Sequence, residues 1–235
     1  MITFKNLHKQ FGKLTVLDGL DLDIKKGGIF AILGPNGSGK TTLIKCLLGM
    51  VIPNKGEINL EGKSVLGKWD YRNNLNYLPQ IANFPPNLTV TELLKMVKNL
   101  RPKQSNEQHL IELFDLESHL YKKLGNLSGG TKQKVNLVLT FMFDSDLIIL
   151  DEPTTGLDPV SLIHLKEIIQ KEKKAGKTIL ITTHIMSFVD EVADEIVFLL
   201  DGKIYFKGSV AQLKKQTNNK DLERAIANLI SEQHV

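Results

Sequence analysis

Apolar and polar residues alternate through ITFKNL and TVLDGLDLDI on either side of Gly12. A period of two is that of strands with one buried face, here joined as antiparallel neighbours. The alternation ends at Gly27–Gly28, and Ile29–Leu33 is apolar throughout, the pattern of a buried strand. Thr41–Leu48 has helical spacing and meets Gly49, a natural C-terminal stop. From 84 to 126 the pattern predicts short helices, with Thr89 and Glu92, and again Ser105 and Gln108, each fitting a capping box. A strand at Leu147–Leu150, a helix from Pro159 to near Gly176 and a strand at Thr178–Ile181 then alternate as in a parallel sheet. The apolar run Ile196–Leu200 leads into Asp201–Gly202, a hairpin turn. Lys214–Lys220 reads as a polar linker to an amphipathic end carrying Leu222, Ile226 and Leu229.

A chain of 235 residues, 42% hydrophobic, can bury one substantial core. Its apolar runs are far shorter than the roughly 20 residues needed to cross a bilayer, so the chain is not expected to span a membrane. MITFKNLHKQ lacks the features of a secretory signal, which points to the cytosol. The single cysteine, Cys46, allows neither a disulfide framework nor a cysteine metal site and reads as a small core residue. The net charge of +4 is mostly scattered lysine. The arginines Arg72, Arg101 and Arg224 lie outside the motifs below, so bidentate arginine recognition of phosphate is not the theme and nucleic acid is not an expected partner.

Gly34-Pro35-Asn36-Gly37-Ser38-Gly39-Lys40-Thr41 fits the phosphate-loop pattern, with a strand before it and a helix after. Gly37 and Gly39 let successive N–H groups turn inward around phosphates at a positive helix terminus. Lys40 adds a mobile positive charge, and the Thr41 hydroxyl can ligate Mg²⁺. Leu147-Ile148-Ile149-Leu150 ends in Asp151-Glu152. A carboxylate at the end of a wholly apolar strand calls for a cation. Asp151 is therefore expected to hold the Mg²⁺ hydration shell, and Glu152 to polarise a water for attack on the γ-phosphate. Leu127-Ser128-Gly129-Gly130, ahead of a helix expected to begin around Thr131, makes a second anion cradle with the Ser128 hydroxyl as donor. One chain thus carries two phosphate cradles.

Taken in order, the phosphate loop, Tyr77-Leu78-Pro79-Gln80, Leu127–Gly130, Asp151-Glu152, Thr155-Gly156-Leu157-Asp158 and His184 make the whole chain resemble the nucleotide-binding domain of the ABC ATPase family. The resemblance implies an α/β fold: a P-loop NTPase core with a mixed or parallel sheet and an antiparallel β lobe (1–83 and 136–213), a helical lobe with the signature (84–135) and a short C-terminal extension (214–235). It implies ATP and Mg²⁺ as cofactors, with Gly34 through Thr41 and Thr42 around the phosphates. It implies two such domains, identical or related, closing head to tail so that the phosphate loop of one meets the signature of the other. Gln80 would contact Mg²⁺ or the attacking water, His184 the γ-phosphate, Phe11 and Val16 the adenine, and Asp158 the dimer interface. The expected setting is the cytoplasmic face of a membrane, beside separate transmembrane permease subunits. Thr131 departs from the commonest signature, which has Gln there; its backbone N–H is expected to stay available to the cradle.

Two other classes were open. A soluble ABC ATPase acting on nucleic acid or ribosomes usually has two nucleotide domains or a long inserted coiled coil, absent from this sequence. A P-loop kinase or GTPase does not account for the second cradle and His184. The short tail and compact lobe resemble the exporter-type group of transporter ATPases.

Overall fold

The structure, a computed structural model, describes residues 2–231. β1 (Ile2–Phe11) and β2 (Leu14–Ile24) form the expected antiparallel ribbon, and β3 (Gly28–Leu33) follows, buried along nearly its whole length. After the phosphate loop comes α1 (Lys40–Leu47), then β4 (Lys55–Leu60), β5 (Lys63–Ser64) and β6 (Leu75–Leu78). The helical stretch comprises α2 (Val90–Leu100), α3 (Glu107–Leu113) and α4 (Gly129–Phe141). β7 (Leu147–Asp151), α5 (Pro159–Lys174), β8 (Thr178–Thr182) and α6 (Met186–Val192) alternate next. β9 (Glu195–Leu200), β10 (Lys203–Gly208), α7 (Val210–Gln216) and α8 (Leu222–Ser231) close the chain.

Two sheets result. One is antiparallel, in the order β2-β1-β4-β5; the other runs β10-β9-β3-β8-β7-β6, parallel except for β10 at its edge. Apolar strands such as LIILD and TILIT sit centrally because helices cover one face and the second sheet with α1 covers the other. Strand register aligns Ile32 with Thr182, Thr182 with Asp151 and Leu150 with Leu78. The carboxyl ends of β3, β6, β7 and β8 therefore share one edge, where ligands of open α/β sheets gather. Cys46 is buried between the sheets, and burial pushes its thiol up to about 11, so it is an inert core residue.

Two local expectations are corrected. The Thr89–Glu92 capping box forms, but Ser105 and Gln108 make none: α3 is capped by Asn106 without a side-chain bond. Ser105 instead pairs as an isolated bridge with Phe143, while its hydroxyl donates to Glu107. The stretch 214–220 is not simply a linker, since α7 runs to Gln216 behind a Ser209–Gln212 capping box and buries Leu213. α7 and α8 together pack on Ala31 and Leu33, directly behind the phosphate loop. The last four residues of the expected extension lie outside the described residues.

Candidate active site

The phosphate loop leaves β3 at Gly34, which no other residue could replace without movement: a Cβ there would lie 2.0 Å from the Leu199 carbonyl oxygen. Gly39 caps α1 with φ +104, and its own Cβ would meet the Val16 carbonyl oxygen at 2.8 Å. Both glycines let the loop fold tightly against β9 and β2. The Lys40 ammonium reaches back to the carbonyls of Gly34 (2.7 Å) and Pro35 (3.0 Å), which fixes the charge at the mouth of the loop. Burial pulls the Lys40 pKa down, while Glu152 and Asp151 push it up.

Beside this loop, the end of β7 presents the two carboxylates. Asp151 is 1% exposed; one of its oxygens accepts from the Thr182 hydroxyl and, at 3.4 Å, from Thr41, while Oδ2 is buried without a hydrogen-bond partner. Burial raises its pKa, with the Thr182 and Thr41 hydroxyls acting in the opposite direction. The donor set is hard oxygen, and an orphaned buried carboxylate oxygen beside a hydroxyl fits Mg²⁺, which takes one or two protein oxygens and fills its remaining positions with water and phosphate. No larger His, Cys, Asp and Glu cluster of metal-binding type occurs among the described residues.

Glu152 is 5% exposed and stands in the left-handed region, φ +51, although it precedes a proline. That conformation is disfavoured for a non-glycine residue and persists only where surroundings hold it. Its N–H donates to the Thr182 carbonyl at 2.9 Å. His184, 64% exposed at its side chain, brings Nδ1 to 2.9 Å from Glu152 Oε2, without the alignment of a hydrogen bond.

Phe11, Val16, Asn36, Gly37, Gly39, Lys40, Thr41, Thr42, Gln80 and Glu152 line a single cleft of about 490 Å³, joined by Leu14. Phe11 is half exposed there, with the Lys9 ammonium 4.7 Å from its ring centroid. Gly34, Pro35 and Ser38 of the phosphate loop do not line the cleft. The sequence reading missed Leu14, which lies across the β1–β2 turn from Phe11, and Thr182; a polar residue in an otherwise apolar buried strand was the signal for the latter.

The second cradle is elsewhere. Leu127, Ser128, Gly129 and Gly130 contribute nothing to the cleft lining. α4 starts at Gly129, two residues earlier than expected, with Ser128 as its N-cap. The Ser128 hydroxyl accepts from the Thr131 N–H at 3.2 Å and lies 2.9 Å from the Thr131 hydroxyl, so the Thr131 amide is not free for an anion as the sequence had suggested. Asp158 caps α5 through the Ser161 N–H and meets the Lys134 ammonium at 2.8 Å.

A parallel sheet whose strand ends hold a glycine phosphate loop, a buried aspartate and an adjacent glutamate defines a P-loop nucleoside triphosphatase. Residues 17–155 match the ABC transporter family, and the chain belongs to that family as an ATP-binding, ATP-hydrolysing cassette. It is 35% identical over 234 residues to the lantibiotic transport ATP-binding protein SrtF of Streptococcus pyogenes, covering 98% of this chain and 97% of that one. It is 36% identical over 214 residues to a Nod factor export ATP-binding protein I of Burkholderia lata, covering 88% and 70%. Among solved structures, an ATP-binding subunit of an ABC transporter superposes with a TM-score of 0.89 at 28% identity, over 98% of this chain and 99% of the other. A dimeric bacterial ABC transporter cassette shares the fold at TM-score 0.81 and 24% identity, over 89% and 98%. No helix among the described residues is long and apolar enough to cross a membrane.

Proposed function

We propose that this chain is the ATP-driven subunit of an exporter, pairing head to tail with a second ATPase chain, the same or related, on the cytoplasmic face of a membrane and beside separate transmembrane subunits. Each ATP is held between Gly34–Thr42 of one chain and Leu127–Gly130 of the other. The observation that carries this reading is Gly129. It sits in the first turn of α4 with no positive φ, and a Cβ added to it would meet nothing within 4 Å. Neither backbone conformation nor packing within the chain asks for glycine there, and alanine is the better helix former. A glycine kept where its own chain has no use for it leaves room for something that approaches from outside. The dimeric cassette with the same fold, and the transport and export functions named for the two relatives, support the same arrangement.

Within the site, Phe11 and Val16 offer the adenine a ring and an apolar edge. The loop amides and Lys40 neutralise the β- and γ-phosphates, and Thr41 and Asp151, with Gln80 at the rim, hold Mg²⁺. Bound there, Mg²⁺ supplies charge neutralisation on the transferring phosphoryl group. Glu152 orients and deprotonates the attacking water, and His184 faces the γ-phosphate from the next strand end. Phosphoryl transfer to water then depends on positioning rather than on a covalent intermediate.

The test is complementation. Lys40→Ala and Ser128→Glu are each expected to lose nearly all ATPase activity. In a head-to-tail pair of the two variants, one site combines the intact loop of the Ser128→Glu chain with the intact signature of the Lys40→Ala chain. Mixing them should therefore restore a substantial fraction of wild-type turnover. A mixture as inactive as its components, while each still binds its wild-type partner, would overturn the composite site.

A further inference from the structure

The strained backbone at Glu152 has to be held, and the residues that hold it differ in origin. On its amino side the anchor is the neighbouring strand, through the Thr182 carbonyl. On its carboxyl side the Glu152 carbonyl accepts from the Thr155 N–H at 3.4 Å, and a further anchor comes from the helical part of the chain. The Gln133 side chain, 6% exposed in the second turn of α4, donates from Nε2 to the Pro153 carbonyl at 3.0 Å. Pro153 has no N–H to donate, so its carbonyl, one peptide beyond Glu152, is the only backbone group of that residue that can be tethered. Two further contacts join the same surfaces. The backbone of Gly130 lies so close to the Gly156 carbonyl that a Cβ would approach it to 2.5 Å, and Lys134 reaches Asp158. The first turns of α4 thus grip the whole loop from Pro153 to Asp158.

We propose that Gln133 is a positioning residue for Glu152: the hydrogen bond its side-chain amide donates to the Pro153 carbonyl sets the direction in which the carboxylate points, and so ties the reactivity of the first cradle to the seating of the helix that begins at the second. The inference rests on the reading of Glu152 as the base. Displacement of a reacting group by an ångström can lower a rate by roughly a hundredfold, so a lost tether acts on kcat rather than on nucleotide affinity, which resides in the loop at Gly34–Thr42.

Gln133→Met keeps the length and volume of the side chain and removes the donor; Gln133→Glu keeps its shape and, when ionised, repels the carbonyl. For either folded variant, kcat for ATP should fall by roughly ten- to a hundredfold, with KM and ATP affinity within about twofold of wild type. Repeated in a Glu152→Gln background, the same change should lower the residual turnover hardly at all, because it acts through the missing carboxylate. A kcat near wild type, an equal loss in both backgrounds, or a parallel loss of ATP affinity would each overturn the proposal. Failure of the base assignment is a separate result: there Glu152→Gln by itself turns over like wild type.

Discussion

The two glycine cradles of this chain are built on opposite plans. In Gly34–Thr41 the glycines are demanded from within: Gly34 is wedged against Leu199 and Gly39 against Val16, and Lys40 is anchored on the loop's own carbonyls. In Leu127–Gly130 the Leu127 side chain is buried in the core and Gly130 is pressed against Gly156, while Ser128 and Gly129 lie exposed and a Cβ on Gly129 would meet nothing within 4 Å. The first is an enclosed half-site whose geometry the fold dictates. The second has an exposed surface at Ser128 and Gly129, which on the proposed reading meets a second chain.

That contrast predicts opposite outcomes for one substitution. Gly34→Ala forces a Cβ to 2.0 Å from a backbone oxygen in a conformation alanine resists, and should destabilise the fold by about 3 kcal/mol or more, read from urea unfolding. Gly129→Ala should leave stability unchanged or raise it by up to about 1 kcal/mol, yet lower ATPase turnover. An active, more stable Gly129→Ala protein would remove the idea that something docks on that surface.

The hydroxyl groups of the two regions sharpen the comparison on a smaller scale. Thr182 is fully buried and donates to Asp151 while its carbonyl holds Glu152. Thr182→Val should cost about 2 kcal/mol, because the buried carboxylate loses its main donor, and turnover should fall with it. The same exchange at Thr131, whose hydroxyl meets Ser128 at an exposed helix end, should change stability by no more than about 0.5 kcal/mol. Equal losses at the two positions, measured by denaturant midpoint, would contradict the division into an enclosed and an open half.

The same division governs what could be read from the sequence. The phosphate loop was legible because its chemistry is local: eight consecutive residues carry the turn, the charge and the hydroxyl. LIILD and Thr89–Glu92 were legible for the same reason, one by an uninterrupted apolar run and the other by a spacing of three. Ser105 failed as a cap because a distant segment, at Phe143, claims its backbone. α7 was hidden in a lysine-rich run, where the burial of Val210 and Leu213 depends on β3 and β9. Gln133 had no signal at all, since its partner Pro153 is 20 positions away. The place of Gly129 was visible, but not that a side chain there would meet nothing of its own chain, which only the packing of α4 discloses.

Asp158 stands between the two halves and gives the smallest effect. The Lys134 ammonium, followed by the Ser161 N–H, holds its carboxyl well below the usual carboxylate range. A depressed folded pKa contributes stability that is present above the unfolded value of about 3.9 and is lost as pH falls through the folded value. Asp158→Asn keeps a side-chain oxygen for the cap and removes the charge. Because the pair is partly exposed and screened, it should lower stability by about 0.5 kcal/mol at neutral pH. The difference from wild type should shrink in added salt and below about pH 4. If Asp158→Asn instead reduces turnover severalfold at unchanged thermal stability, the carboxylate acts beyond its own chain, and Asp158 belongs with Gly129 to the open surface rather than to the wiring of α4 and α5.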